Sequence, residues 1–140
     1  MPQSRWPADA KGRYWIDIAL GSRELSLMVD SGLVDFQHQA GFSIDPFIFD
    51  RMRQSHEFVM TQRYTIQDAS GRSTKGYTGL IAAQLIDPIS RQRIGPVVNL
   101  FTVRGSPKVP SRVGVEFFHH LTGCRVIWDL DKRIWCIEHP

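Results

Sequence analysis

The sequence predicts an all-β domain with two short helices. Along most of the chain, apolar and polar residues alternate over short segments, as they do in half-buried strands, and Gly, Pro, Asp and Ser residues separate these segments. Two other segments read as short helices. Because many short strands must hide their edges, we expect closed or sandwich-like packing.

Length and composition predict one folding unit. The chain has 140 residues, of which 42% are hydrophobic and 22% charged, as is ordinary for a globular domain with its own core. Residues 1–12 are polar and contain proline, so we expect a loose or interface-forming N-terminal arm before a single domain over residues 13–140. No apolar run approaches the roughly 20 residues of a membrane helix, and the N-terminus lacks a signal-peptide pattern. We therefore expect no membrane partner and a cytoplasmic location.

The first predicted element is a β-hairpin. Residues 13–20 alternate in polarity, Gly21-Ser22 is a turn signal, and Leu25, Leu27 and Val29 alternate again. The hairpin delivers the chain directly into Asp30-Ser31-Gly32.

The next element is a short helix that begins at Asp45-Pro46. Asp45 is suited to the N-cap and Pro46 to the first helical position, where its missing N–H costs nothing. Ile44 would pack on Phe49 as a hydrophobic staple. The helix is predicted to end near residues 54–56.

The remaining segments predict further strands and one more helix. The expected elements are strands over residues 58–67, 74–86 and 97–103, an irregular connector over 104–111, a helix over 115–121 and a hairpin over 125–130 and 133–137. In that last hairpin Trp128 would face Trp135. The aromatic side chains, these two included, are most simply core residues.

The two cysteines are expected to be free. Pairing about the Asp131-Lys132 turn places Cys136 opposite Ile127, so Cys124 and Cys136 are not cross-strand neighbours, as a disulfide would require. Two reduced thiols are typical of a reducing compartment.

Charge and histidine patterns disfavour two classes of function. The net charge is +3, but the basic residues are scattered and no nucleic-acid-binding motif is present, so no nucleic-acid partner is expected. Adjacent His119 and His120 point in different directions on a helix, so we expect no metal. Asp129-Leu130-Asp131 is better explained as turn chemistry than as a cation loop.

Three features occur in a set order along the chain. An apolar strand ends in Met28-Val29-Asp30-Ser31-Gly32, a hairpin with a Ser70-Gly71 tip follows, and Val113-Gly114 then precedes an apolar helix and a closing strand. This order resembles the retropepsin family of aspartic proteases, which comprises the retroviral enzymes and their bacterial relatives. Residues 113–118 and 123–129 are similar to the corresponding bacterial segments, and the resemblance covers roughly residues 13–138.

The resemblance implies a retropepsin-like closed β-barrel, equivalent to one half of an acid protease, with two short helices and a flap hairpin. It implies that Asp30, Ser31 and Gly32 form the catalytic turn of an aspartic endopeptidase without a cofactor. Because the chain has one such turn, it also implies a homodimer in which two Asp30 carboxylates share one proton and act on a peptide or protein substrate. The implied substrate-binding residues are Leu33, Asp35, Ala69, Ser70, Gly71 and Gly114.

Two residues depart from the family's pattern. Leu33 follows the catalytic glycine where relatives have a small residue, and Arg112 stands where they have an apolar one. These departures keep open a second hypothesis, a non-catalytic retropepsin-like module that dimerises or binds an extended peptide by strand addition.

Overall fold

The computed structural model describes residues 1–33, 40–67 and 70–140. Within these ranges the chain forms ten strands and two helices. The strands are β1 (Gln3–Pro7), β2 (Trp15–Leu20), β3 (Arg23–Val29), β4 (Ala40–Ile44), β5 (Met60–Gln67), β6 (Ser73–Ile86), β7 (Arg93–Arg104), β8 (Arg112–Val113), β9 (Arg125–Asp129) and β10 (Ile134–Glu138). The helices are α1 (Pro46–Gln54) and α2 (Val115–His119).

The larger sheet closes on itself. Its strand order is β2-β3-β8-β4-β7-β6-β5, and an additional antiparallel pairing of β2 with β6 joins its two sides. Six strands therefore form a ring, and β5 extends from β6 as a long antiparallel hairpin. This confirms the predicted all-β fold with closed packing and two short helices.

The interior of the ring is filled with aliphatic and aromatic side chains. The largest fully buried residues are Phe42, Phe49, Phe117, Ile16, Ile18, Leu20, Leu27, Ile44, Met52, Ile81, Leu85 and Ile86. They come from both helices and most strands of the ring, so a single core supports the loops at its rim.

The N-terminal residues are not a loose arm. Strand β1 pairs with β10, which pairs with β9, and the three strands form a second antiparallel sheet. Trp6 on β1 is buried in the main core. The local sequence of residues 1–12 is polar, but the distant β10 supplies the hydrogen-bonding partner that makes part of it a strand.

The terminal hairpin has the predicted register. Trp128 pairs with Trp135, and Cys136 lies opposite Ile127. Both cysteines are free thiols, and burial raises the pKa of Cys124.

Helix α1 begins as predicted. The Asp45 carboxylate caps it by accepting hydrogen bonds from the N–H groups of Phe47, at 2.9 Å, and Ile48, at 3.3 Å. Pro46 is the first helical residue, and Ile44 and Phe49 are both fully buried. Helix α2 is shorter than predicted, because its last residue is His119.

Strand β7 begins at Arg93, four residues earlier than predicted, and includes Gly95-Pro96. The pairing of β6 with β7 shifts register between Ala83 and Leu85, which leaves three residues of β7 opposite Gln84. Such a bulge accommodates a proline and a glycine with positive φ, and Gly95 has φ 70°. The Gln84 side chain donates to the Gly95 carbonyl at 2.8 Å.

Candidate active site

Asp30 lies at the end of β3, where three strands meet. Strand β3 pairs antiparallel with β2 and parallel with β8, and Val29 lies beside Val113. The Asp30 N–H donates to the Val113 carbonyl at 2.9 Å, and the Val29 N–H donates to the Tyr14 carbonyl at the same distance. The backbone that carries the Asp30 carboxylate is therefore fixed from both sides.

The Asp30-Ser31-Gly32 segment is a tight turn closed by its own carboxylate. The Gly32 N–H donates to Asp30 Oδ1 at 2.9 Å, and the Leu33 N–H donates to the Asp30 carbonyl at 3.1 Å. This is the local side-chain bonding that favours Asp in turns. The Gly32 N–H thus holds Asp30 Oδ1 against the turn, and Asp30 Oδ2 points away from it.

The turn rests on the glycine that precedes helix α2. A Cβ placed on Gly114 would lie 2.5 Å from the Leu33 carbonyl oxygen and 3.2 Å from the Leu33 Cβ. The Gly114 N–H also donates to the Gly41 carbonyl at 2.9 Å, which joins this platform to β4. Among the predicted site residues, the structure therefore brings Asp30, Ser31, Gly32, Leu33 and Gly114 together.

Arg112 forms an ion pair with Asp30. Its Nη1 donates to Asp30 Oδ2 at 2.8 Å, and its Nη2 lies 3.4 Å from Ser43 Oγ on β4. Both side chains are partly buried, with 25% of the Arg112 side chain and 27% of the Asp30 side chain exposed. The sequence marked Arg112 as unusual, but it gave no sign that its side chain would reach Asp30.

An apolar cavity of about 400 Å³ borders the turn. Its walls include the rings of Tyr14, Phe118, Trp128 and Trp135, and Trp128 Nε1 donates to the Tyr14 hydroxyl at 2.9 Å. Trp128 is 57% exposed, so it is not the core residue that the sequence predicted. It instead forms an open wall of the cavity, because β9 is an edge strand of the small sheet.

Arg13 is the cation on the rim of this cavity. Its Nε donates to Asp9 Oδ2 at 3.0 Å. Hydrogen bonds from the Trp15 indole and from the Arg13 backbone lower the pKa of Asp9 far below its usual value. Asp9 therefore holds Arg13 as part of an ordered turn ahead of β2.

The predicted flap corresponds to the β5–β6 hairpin. Its strands pair as far as Gln67 and Ser73, and Ser70 and Gly71 lie in the turn, where Gly71 has φ 82°. Two predicted site residues, Asp35 and Ala69, lie outside the described residues.

The middle of this hairpin, where Tyr77 pairs with Arg63, contacts α1 through the Tyr77 ring. The guanidinium of Arg53 on α1 lies over the Tyr77 ring, 4.1 Å from its centre, and that of Arg63 on β5 lies 5.4 Å away. Hydrogen bonding to Arg53 and Arg63 lowers the pKa of Tyr77. No pattern in the sequence predicted this cluster, because its three residues belong to three different elements, α1, β5 and β6.

In the parts of the chain that the structure describes, no three His, Cys, Asp or Glu side chains are placed to hold a metal ion. The ring nitrogen Nδ1 of His120 instead lies 2.8 Å from the Glu116 carbonyl oxygen. Asp129 accepts a hydrogen bond from the Lys132 N–H at 3.0 Å within its hairpin turn. None of the described helices has the length and apolar character needed to cross a membrane.

Comparisons with known proteins identify the fold. No protein-family model and no curated protein sequence matches the chain. Among solved structures, it is similar to a retropepsin-like aspartic protease from Rickettsia conorii, with a TM-score of 0.62 and 13% sequence identity over 97% of this chain and 90% of that one. The chain therefore has a retropepsin-like fold, as the order of its motifs implied.

Proposed function

We propose that the protein is a homodimeric aspartic endopeptidase in which Asp30 of each subunit supplies one carboxylate. The observation that carries this proposal is the position of Asp30 in a self-closed Asp-Ser-Gly turn at the end of β3, on a retropepsin-like fold. The Gly32 N–H fixes Oδ1, which sets the direction of the carboxylate.

Peptide hydrolysis at such a dyad needs one carboxylate and one carboxylic acid. The carboxylate accepts a proton from water as the water oxygen attacks the carbonyl carbon, and the acid gives its proton to the carbonyl oxygen. The tetrahedral diol then breaks its C–N bond: the departing nitrogen takes the proton of the dyad, and a diol hydroxyl gives its proton to the dyad as the carbonyl re-forms, so the two carboxyl groups again share one proton. Two carboxyl groups about 3 Å apart share one proton, because both cannot carry a charge at that distance.

One subunit supplies half of this chemistry. Among the described residues the chain has one Asp-Ser-Gly turn, so a second Asp30 must come from a two-fold related copy. The apolar walls of the cavity beside Asp30 would lower the local dielectric and strengthen the electrostatic interactions of the pair. The β5–β6 hairpin, held to α1 at Tyr77, would cover a bound peptide and exclude water.

The decisive experiment replaces Asp30 with Asn, which keeps the shape of the side chain and removes its charge. Cleavage of a denatured protein substrate at mildly acidic pH should be lost, since an amide cannot activate water. Asp131→Asn, in the exposed turn between β9 and β10, is the matched control and should cleave like the unsubstituted protein. Sedimentation and thermal melting would establish that each variant folds and dimerises; cleavage by Asp30→Asn at the original rate contradicts the proposal.

A second candidate function is favoured by the Arg112–Asp30 ion pair. A carboxylate that is neutralised within its own subunit suits a non-catalytic module that dimerises or binds an extended peptide on a strand edge. This candidate predicts peptide binding that is the same in the unsubstituted protein and in Asp30→Asn, without cleavage by either. Any Asp30-dependent proteolysis excludes it.

A further inference from the structure

We infer that Arg112 is a positioning residue that restrains the candidate dyad by holding Asp30 Oδ2 as a hydrogen-bond acceptor. This inference rests on the proposed protease function and adds a control on the same site. Arg112 Nη1 lies 2.8 Å from Asp30 Oδ2, so the guanidinium occupies the oxygen that the Asp-Ser-Gly turn leaves free.

The position of Arg112 is fixed by its backbone. Strand β8 lies between β3 and β4, so Arg112 pairs with Met28 on one side and Ser43 on the other. Its side chain also contacts both neighbours: Nη1 donates to Asp30, directly after β3, and Nη2 lies 3.4 Å from Ser43 Oγ on β4. The ion pair is thus built into the junction of three strands.

The Arg112 guanidinium determines the hydrogen-bonding role of the Asp30 carboxylate. Arginine has donors only, so an Oδ2 that faces Nη1 accepts a hydrogen bond and carries no proton there. Oδ1 accepts the Gly32 N–H in the same way. Asp30 is therefore a carboxylate that accepts on both oxygens, whereas one member of the dyad must present an O–H to the substrate carbonyl.

In a two-fold dimer the Arg112–Asp30 ion pair would be present in both subunits. Each Asp30 would arrive with its own Arg112, and two guanidinium charges offset the repulsion that otherwise makes two carboxylates share a proton. Arg13 adds no comparable charge, because it is committed to Asp9. The active dyad, in which one Asp30 must donate a proton to the substrate carbonyl, would then form only after Arg112 moves away.

Arg112 is not fully satisfied where it lies. Its Nε is buried and has no hydrogen-bond partner within the described ranges. A buried donor without an acceptor is unfavourable. If substrate or the partner subunit displaced the Arg112 side chain, fewer hydrogen bonds would therefore be lost than for an arginine whose donors are all paired.

The test removes the donors and keeps the bulk of the side chain with Arg112→Met. Because Arg112→Met removes the charge-assisted hydrogen bond to Asp30 Oδ2, kcat/KM should rise about tenfold or more relative to the unsubstituted protein, and the pH profile of cleavage should change. Arg112→Lys keeps a positive charge but lacks the planar guanidinium, so its kcat/KM should lie between those of the unsubstituted protein and Arg112→Met. Arg125→Leu is the control, since Arg125 is 72% exposed on the outer strand β9.

Two further measurements separate the inference from the proposed function. Asp30→Asn combined with Arg112→Met should be inactive, and a hydroxyl-bearing peptidic inhibitor of aspartic proteases should bind Arg112→Met more tightly than the unsubstituted protein. If cleavage depends on Asp30 but Arg112→Met changes neither rate nor pH profile, the inference fails and the function stands. If neither protein cleaves the substrate or binds the inhibitor, both fail.

Discussion

The Leu33 carbonyl oxygen lies so close to Gly114 that no side chain fits between them. A Cβ on Gly114 would lie 2.5 Å from that oxygen, whereas Cβ atoms in proteins essentially never come within 3.0 Å of such a neighbour. Because Leu33 follows the Asp-Ser-Gly turn directly, the absence of a side chain at Gly114 determines how deeply the turn sits on the barrel.

Gly114→Ala should therefore displace the turn. We expect a loss of about 1–3 kcal/mol in the free energy of unfolding, as for other overpacked sites, together with a lower rate of any Asp30-dependent cleavage. Urea denaturation followed by tryptophan fluorescence measures the first effect. Thr122→Ala, at an exposed position after α2, is the control; equal stability of the two variants would contradict the close approach.

Gly79 on β6 leaves room for an aromatic ring in the same way. A Cβ there would lie 2.4 Å from two ring carbons of Phe58, and Phe58 is held from the other side by Phe49, whose ring centre is 4.9 Å away. Gly79→Ala should cost about 1–3 kcal/mol of unfolding free energy. In a double-mutant cycle with Phe58→Leu, the combined loss should be smaller than the sum of the two, because the smaller side chain removes the clash. Additive losses would be inconsistent with this contact.

Local patterns predicted those parts of the fold that local interactions form. Asp45-Pro46 marks the start of α1 because an N-cap and the residues it caps are neighbours in the chain. Trp128 faces Trp135 because the short turn between β9 and β10 sets the register of the hairpin. The order of motifs implied the retropepsin-like fold, and the structural comparison supports it.

Interactions between distant segments were not predictable in this way. Strand β8 has two residues, too few to show a period, and exists because β3 and β4 flank it. The same junction creates the Arg112–Asp30 ion pair between residues far apart in the chain. Sequence alone identified Arg112 as a departure from an expected apolar residue, but the partner of a long flexible side chain depends on the assembled fold.

Asp87 should make stability depend on pH in the acidic range. Hydrogen bonds from the Ser4 hydroxyl and from the Ser90 N–H lower its pKa to about 2. A carboxylate whose pKa is lowered on folding stabilises the native state above the unfolded value of about 3.9, and that contribution is lost as the pH falls toward 2. The Ser4–Asp87 hydrogen bond joins β1 of the small sheet to the end of β6. Ser4 Oγ also lies 3.2 Å from Nε2 of His139, which follows β10.

Ser4→Ala should lower the free energy of unfolding by roughly 1 kcal/mol at neutral pH, since one hydrogen bond to a partly exposed carboxylate is lost. The difference from the unsubstituted protein should shrink as the pH approaches 2. Denaturation at several pH values gives both quantities. Ser106→Ala, on the exposed connector before β8, is the control, and a deficit for Ser4→Ala that does not change with pH would count against the role of Asp87.

Tyr77 offers a way to observe the attachment of the β5–β6 hairpin to α1. Arg53 and Arg63 lower its pKa, because a guanidinium that donates to the phenol oxygen favours the phenolate. In an ultraviolet titration, Tyr77 should therefore ionise below the ordinary tyrosine range near pH 10, as the difference between the unsubstituted protein and Tyr77→Phe would show. Arg53→Ala should move that ionisation to higher pH and, under the proposed function, raise KM for a peptide substrate by loosening the hairpin. Arg51→Ala is the matched control on the same helix, because the Arg51 guanidinium lies over Phe47, 4.4 Å from its ring centre; an equal shift in both variants would show that net charge, and not the contact of Arg53 with Tyr77, controls the ionisation.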